Sequence, residues 1–441
     1  MPGIPVTDFL SRGNLANLKD YELNELKNNQ GKYKEVWFTG KPGIKKTEWS
    51  NDKKALNHGF DTETNLDGNK RGAGCYKVVI GDHVLYRYEI LKYLSAGHFG
   101  KVVLAKDHAY KNTNVALKFL NNGTEYREDY MYKEAKVSFA LNTAMSKVDH
   151  HFLEPVVEHD FFRNHIILTY NLLGDSINDL RTYHYDSKGK RAPLRTVSGE
   201  MFKKIAWDLL ESLSVLKKMD VLHNDMKTDN MLQMAEGYKD DYPFTKIIDY
   251  GNSCLPKHLK YVSNGNLDDF KPSWFESDPH NTPMNCRASM ILRYKTPEAL
   301  LGNRCHTSCD MWCYGYILTR FITGKPLVDE QVESEQLAAV IAILGHPPDK
   351  LVKSTNSKNY LKKALAVKNK KTKKPWIPKS TTWAKLLSIS PHEEARDPLF
   401  IDLVEKIMCW DPEERLTPFE AMAHPWFFEF ATERFKKYGD L

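Results

Sequence analysis

The stretch His223-Asn224-Asp225-Met226-Lys227-Thr228-Asp229-Asn230, followed nineteen residues after Asn230 by Asp249-Tyr250-Gly251, decides how this chain is read. Chemistry on a phosphoryl group asks little covalent work of a protein and much alignment and charge cancellation. The residue types at this spacing offer both. Asp225 can accept a hydrogen bond from an attacking hydroxyl and take its proton late, and Lys227 can neutralise a γ-phosphoryl. Asn230 and Asp249 carry the hard oxygens that Mg²⁺ prefers. The apolar run in Lys246-Ile247-Ile248 reads as a short strand that would hold Asp249 on a rigid element.

Upstream, Ser95-Ala96-Gly97-His98-Phe99-Gly100-Lys101-Val102 falls between two strand-like stretches. It matches the later part of the kinase G-x-G-x-x-G-x-V phosphate loop, with Ser95 where the first glycine stands; a two-glycine β-turn accounts for the same residues. Sixteen residues beyond Val102, in Val115-Ala116-Leu117-Lys118, Lys118 would hold the α- and β-phosphates if a carboxylate orients it. Glu134 is the candidate carboxylate, and by itself it reads equally as a surface glutamate. Downstream, Thr296-Pro297-Glu298 stands where kinases carry A-P-E, with Arg415 as the expected partner of Glu298 in a buried ion pair. Asp310, opening an apolar helix, would tie down the backbone of the catalytic loop.

The 441 residues can bury more core than one domain usually holds, so two lobes plus extensions are expected. With 41% hydrophobic and 27% charged residues and no apolar run near the ~18 residues of a membrane span, no integral membrane protein is expected. Met1 to Arg12 lacks a basic start and apolar stretch, so an intracellular, reducing environment and thiol cysteines are expected. Cys305, Cys309 and Cys313 recur at i, i+4, i+8 beside His306, as one buried helix face or, less in keeping with zinc-site spacing, as metal ligands. The net charge of +6 is unevenly spread, Lys362 to Lys374 reading KKALAVKNKKTKK. That run is a solvated loop, or a nuclear-import or acidic-partner patch.

Residues 1–85 show no sustained periodicity but carry aromatic islands at Tyr33, Val36-Trp37-Phe38 and Trp49, as an ordered extension packed on a domain would. From Tyr88 come β-rich stretches, YEILKYL, KVVLAKD, NVALKFL and HIILTYNLL; after Asp179 the pattern turns helical, with amphipathic runs at 200–219, 309–323, 335–344 and 400–409. The expected fold is α+β and two-lobed. Its parts are an accessory region over 1–85, a β-rich lobe and hinge over 86–173, a helical lobe over 174–430 and a tail over 431–441.

The chain resembles the dual-specificity tyrosine-regulated kinases (DYRKs), within the CMGC group of protein kinases, over roughly residues 20 to 430. GDHVLYRYEIL from Gly81 is similar to the box before the kinase domain in that family, and LKDYELNELKNNQGKYKEVWFTGK with GFDTETNLDG to the accessory region of its class II members. Asn224 fits because the family replaces the H-R-D arginine with a non-basic residue. The resemblance implies a protein kinase using ATP and Mg²⁺ on protein substrates. Ser95, Ala96, Gly97, Gly100, Val102, Ala116, Lys118, Glu134, Tyr170, Leu173 and Leu232 would then bind the nucleotide, Asn230 and Asp249 the metal, and Asp225 and Lys227 would be catalytic. Tyr170 would guard the back of the adenine pocket, with Asn171 to Leu173 as hinge.

The activation segment departs from the family. Counting back from Glu298, the autophosphorylated tyrosine becomes Ala288, and the arginine that would pair with it and shape the proline-accepting site becomes Leu292; Arg293, one place late, would substitute if the backbone shifts. Residues 255–285 are inserted and, if they hold the segment active, should be ordered. Tyr250 replaces the D-F-G phenylalanine, and Ser138 replaces an apolar residue under the regulatory helix, weakening its packing.

Two further classes stand beside the enzyme. One is a pseudokinase scaffold, motivated by Ser95, Ser138 and the altered segment. The other is a nucleic-acid binder through Lys362 to Lys374, which is not expected and which would show a steep salt dependence. A monomer in the cytoplasm or nucleus, or both, is expected.

Overall fold

The computed structural model describes residues 3–12, 17–44, 75–97, 100–121, 137–138, 141–142, 153–154, 156–163, 165–180, 182–185, 191–194, 197, 199–235, 244–254, 290–326, 328–368 and 381–438. They form two compact units, one taking in the described residues up to Asn142 and those of 156–173, the other the remainder. Among the described residues, Leu153 and Glu154 belong to the second unit and those of 156–173 to the first, and the chain returns to the second at Gly174.

The first unit is built on a six-stranded sheet. A short β1 (Ile4–Pro5) and β2 (Glu35–Val36) pair with each other and flank α1 (Val6–Ser11) and α2 (Asp20–Asn28). The main sheet then runs β3 (His83–Val84), β4 (Tyr88–Ala96), β5 (Gly100–Asp107), β6 (Thr113–Leu120), β8 (His165–Asn171) and β7 (Glu158–Phe162), all antiparallel. The four β-rich stretches of the sequence are β4, β5, β6 and β8. Alternation places Val103 and Ala105 fully inside and their neighbours at the edge of the core, as the two-residue period requires. Gly100 is demanded by the sheet, because a Cβ there would meet the Phe119 carbonyl oxygen at 2.1 Å.

The accessory residues share this core. Val6, Leu18, Leu26, Tyr33, Val36 and Tyr76 pack in one cluster with sheet residues such as Val84, Phe119 and Ile167 and with Tyr86 of the β3–β4 turn. Beside the apolar contact lies a buried charge network. Arg163, on the β7–β8 turn, donates to Glu22 Oε1 at 3.0 Å and Glu25 Oε2 at 3.4 Å on α2. His83 Nε2 lies 2.6 Å from Glu22 Oε1, and Tyr86 Oη donates to Glu25 Oε2 at 2.7 Å. Burial drives the His83 pKa down, so the imidazole is neutral; Nε2–H donates to Glu22 while Nδ1 accepts from the Tyr86 N–H at 3.3 Å. Burial alone would raise the Glu22 carboxyl, but the His83 hydrogen bond, the Lys19 N–H and the Arg163 guanidinium outweigh it and hold it at about 2. Glu22, Asp82 and His83 are close enough to share a metal ion, yet Arg163 already supplies the positive charge at Glu22.

The second unit opens with a hairpin, β9 (Thr182–Tyr185) and β10 (Arg191–Leu194), where the sequence pattern predicts the onset of helices. Threonine and tyrosine on one side of a polar, glycine-containing turn favour strands locally. The core is helical. α3 (Gly199–Lys218) buries Phe202, Ile205, Ala206, Leu209, Leu210, Leu213 and Leu216 along one stripe. A short ribbon, β11 (Met231–Gln233) with β12 (Thr245–Ile247), follows. Then come α4 (Pro297–Leu300), α5 (Ser308–Thr323), α6 (Glu333–Leu344), α7 (Thr355–Leu365), α8 (Trp383–Leu387), α9 (Pro398–Ile407), α10 (Pro418–Met422) and α11 (Phe428–Tyr438). The four amphipathic runs are α3, α5, α6 and α9. Lys362 to Leu365 form the last turn of α7, so the basic run begins as helix, and its part from 369 lies outside the described residues. Residues 431–438 continue α11, whose Arg434 guanidinium stacks 5.7 Å from the Trp207 ring centroid.

The cysteine expectation holds in part. Cys75, Cys305, Cys309, Cys313 and Cys409 are free thiols, whereas Cys254 is disulfide-bonded. Cys309 Sγ donates to Glu298 Oε1 at 3.1 Å and Cys313 Sγ to the Tyr294 carbonyl at 3.4 Å, so both act inside the core, and His306 is exposed.

Arg163→Met leaves the Glu22 and Glu25 carboxylates without their guanidinium and is expected to destabilise the first unit by about 3–5 kcal/mol in urea titrations. Because the Glu22 pKa falls from its ordinary 4.5 to about 2 on folding, its contribution is complete above the first value and is lost as pH drops toward the second. Glu22→Gln should flatten the acid limb of the stability–pH curve in that window.

Candidate active site

The loop before β11 is held from below. Asp310, buried in the first turn of α5, accepts the backbone N–H groups of His223 at 2.7 Å and Asn224 at 3.1 Å. Burial pushes its pKa up to about 7, against the two N–H groups that pull it down. His223 is buried and neutral, its pKa lowered chiefly by desolvation; Nε2 pairs with the Ile248 carbonyl at 3.1 Å and Nδ1 accepts from Asp225 N–H at 3.3 Å. The Ile248 N–H in turn donates to the Asn230 carbonyl at 3.0 Å. Ile248 is thus gripped on both sides, which fixes Asp249 beside Asn230. Asp249 itself takes a left-handed backbone, φ 65°, uncommon for a residue other than glycine.

Asp225, Lys227, Asn230 and Asp249 are therefore brought together. Asp225 Oδ2 receives Lys227 Nζ at 2.7 Å and Asn252 Nδ2 at 3.3 Å, which leaves Oδ1 outside these bonds. Asn230 Nδ2 donates to the Asp225 carbonyl at 3.0 Å, so its amide oxygen is the group left for a cation. An aspartate carboxylate and an asparagine amide oxygen are hard donors of the kind that suits Mg²⁺. Leu232 is half-buried on β11.

In the first unit, Lys118 is buried on β6, with Val102 and Leu168 as cross-strand partners. Ala116 pairs with Leu104 and Tyr170. Ser95, Ala96 and Gly97 are exposed at the β4–β5 turn, closed by Gly97 N–H to the Gly100 carbonyl at 2.9 Å. Gly97 has no neighbour within 4 Å of where a Cβ would stand, in contrast to Gly100. Leu173 is half-buried at the end of that unit, and Ser138 is buried. Glu134, Ala288 and the 255–285 insert lie outside the described residues.

The end of the activation segment is anchored as expected. Arg415 grips Glu298 with both Nη atoms, at 3.0 and 3.1 Å, and also donates to the Ser308 carbonyl at 2.7 Å. Burial alone would raise the Glu298 carboxyl; the Arg415 charge holds it low. Arg293 does not stand in for the missing arginine: it pairs with Asp329 at 3.2 Å. Tyr250 is buried, its hydroxyl donating to the Ile247 carbonyl at 2.8 Å, so the change from phenylalanine leaves no orphaned polar group. Asn224, at φ 64°, donates to the Asn252 carbonyl at 3.3 Å, and a Leu222–Cys254 bridge lays the start of the segment against the loop. Sequence reasoning missed Asn252, Ile248, Asn178 and Arg320, since none lies in a spacing pattern that announces a role.

A protein kinase domain model matches residues 88–427, and the chain belongs to that family. Over most of its length it is similar to kinases named as DYRKs. It is 29% identical over 430 residues to the dual specificity tyrosine-phosphorylation-regulated kinase mbk-2 of Caenorhabditis briggsae, covering 93% of this chain and 45% of that protein. It is 29% identical over 436 residues to human dual specificity tyrosine-phosphorylation-regulated kinase 3, covering 93% and 63%. Against the DYRK-family kinase pom1 of Schizosaccharomyces pombe it is 28% identical over 414 residues, covering 93% and 33%. The chain thus spans from a third to under two thirds of these relatives.

Glu298→Gln weakens the buried partner of Arg415 and is expected to lower stability by about 3–5 kcal/mol in denaturant titration. The double variant with Arg415→Met should recover part of that loss, as a double-mutant cycle would show.

Proposed function

We propose that this chain transfers the γ-phosphoryl of ATP to serine and threonine hydroxyls of protein substrates, with Mg²⁺. The observation that supports it most is the clamp on Ile248, which ties the backbone just before Asp249 to His223 and Asn230. Asn230 and Asp249 would hold the metal, which supplies charge neutralisation at the phosphates. Asp225 Oδ2 is spent on Lys227 and Asn252, so Oδ1 would orient the attacking hydroxyl and take its proton late. Lys227 would shield the transferring group, and Lys118 would take the α- and β-phosphates, helped by backbone N–H groups around Ser95 to Gly100 and by Val102, Ala116, Tyr170, Leu173 and Leu232 around the base.

Activity would not depend on tyrosine phosphorylation. Position 288 is alanine, and Asn224 brings no positive charge that a phosphate would have to neutralise. Leu292 in place of the arginine would relax the proline preference of the family. No helix among the described residues is long and apolar enough to cross a membrane, and a monomer in cytoplasm or nucleus remains our reading.

Labelled ATP, Mg²⁺ and a basic protein substrate test the reading beside Asp249→Asn. Wild type should incorporate label at a rate about 10²-fold or more above the variant, the scale of losing one preorganised charge; equal background from both would favour a nucleotide-binding scaffold. Mass spectrometry of active protein should find no phosphotyrosine within 252–298, and its presence there at high occupancy would sink the tyrosine-independent mechanism.

A further inference from the structure

Arg320 stands in the last turn of α5, half-buried, and reaches three separate segments. Its Nη1 donates to Thr228 Oγ1 at 3.2 Å and to Tyr294 Oη at 2.8 Å, and its Nη2 to Asn178 Oδ1 at 3.1 Å. Thr228 follows Lys227 in the catalytic loop, and Tyr294 lies two residues before Thr296-Pro297-Glu298. The guanidinium is therefore beside the stretch of chain on which an acceptor hydroxyl must be presented to Asp225.

All three acceptors are neutral. Among the described residues, no aspartate or glutamate comes within ion-pair distance of Arg320. The cations nearest it in the activation segment are treated differently: Arg293 pairs with Asp329 at 3.2 Å, and Lys295 pairs with Glu333. Asp179 and Asp229 adjoin two of its partners in sequence, are exposed, and make no ion pair with it. Three of the five guanidinium protons are used, which leaves Nε–H and one Nη2–H, a side-on pair suited to a carboxylate. A partly desolvated cation whose partners among the described residues are all neutral gains most from an incoming anion, because charge-assisted bonds are about twice as strong as neutral ones.

We propose that Arg320 recognises an acidic side chain of the protein substrate, within a few residues of the phosphorylated hydroxyl. The proposal rests on the kinase reading above and names the substrate class of the same site. Thr228, Tyr294 and Asn178 hold the fork in place, so its open edge is preorganised.

Serine peptides in matched pairs, aspartate or asparagine at each of several positions on either side of the acceptor, provide the test. With ATP and Mg²⁺, wild type should favour aspartate at one position by about tenfold in kcat/KM, the scale of one charge-assisted contact. Arg320→Gln should bring that ratio to about one, and Arg320→Glu should turn the preference toward lysine at the same position. The ratio is the readout, because a variant that merely loosens the loop slows every peptide alike and leaves it in place. No acid preference in wild type, or a preference that survives Arg320→Gln, would overturn the proposal and leave Arg320 as a brace. If wild type phosphorylates no peptide, the kinase reading fails separately. Fluorescence anisotropy of the aspartate and asparagine pairs then decides this one, with Arg320-dependent selectivity for aspartate supporting it and equal binding ending it.

Discussion

The carboxylate of Asp310 is the point from which the candidate catalytic residues are hung. It is buried in the first turn of α5 and holds two consecutive backbone N–H groups of the loop that carries Asp225. An unmet N–H buried at that depth would cost about 1–3 kcal/mol, so helix and loop are fixed as one body. Every later contact depends on that. His223, positioned through its own N–H, reaches Ile248; Ile248 returns a hydrogen bond to Asn230; Asp249 follows directly in the chain. The stretches around His223 to Asn230 and Ile248 to Asp249 are thereby aligned by hydrogen bonds to the backbone, whose short reach allows little play.

Charge is handled in two ways in this protein. Where an ion pair is structural, both members are enclosed and doubly satisfied, as with Glu298 and Arg415, or with Arg163 against Glu22 and Glu25. Burial of such pairs is weak evidence of net stabilisation, but breaking one is severe, which makes them good locks. Beside the catalytic loop the treatment differs. Among the described residues, Asp225 keeps an oxygen outside its hydrogen bonds, Asn230 keeps its amide oxygen, and Arg320 has only neutral partners. Unspent capacity concentrated in one place is the electrostatic mark of a site that waits for a charged ligand.

The accessory segment shows why a short extension can be integral to a fold. α2 is nine residues long, too short to persist alone. It is held by apolar burial of Leu26 and by carboxylates aimed at Arg163, His83 and Tyr86. Neutral His83 donates a hydrogen bond to Glu22 without adding a second positive charge beside Arg163. That choice of tautomer lets two carboxylates, one guanidinium and one imidazole share a buried volume.

The two kinds of unit, most elements and the candidate residues of the catalytic loop were legible in the amino-acid sequence. Two-residue alternation and 3.6-residue stripes are local, and the spacing from Asp225 to Asp249 is unaltered by whatever surrounds it. It also named the Glu298–Arg415 and Asp310 anchors, because those residue types have few other reasons to stand buried at those places. Only the tertiary structure decided that Arg293 turns to Asp329, that Cys254 is bonded, that β9 and β10 interrupt the helical pattern, and that Arg320 lies against Thr228 and Tyr294. Hydrogen bonds reach about 3 Å and leave no trace in periodicity. Partners separated by 92 or 142 residues, as Arg320 is from Thr228 and Asn178, meet only once the core has folded.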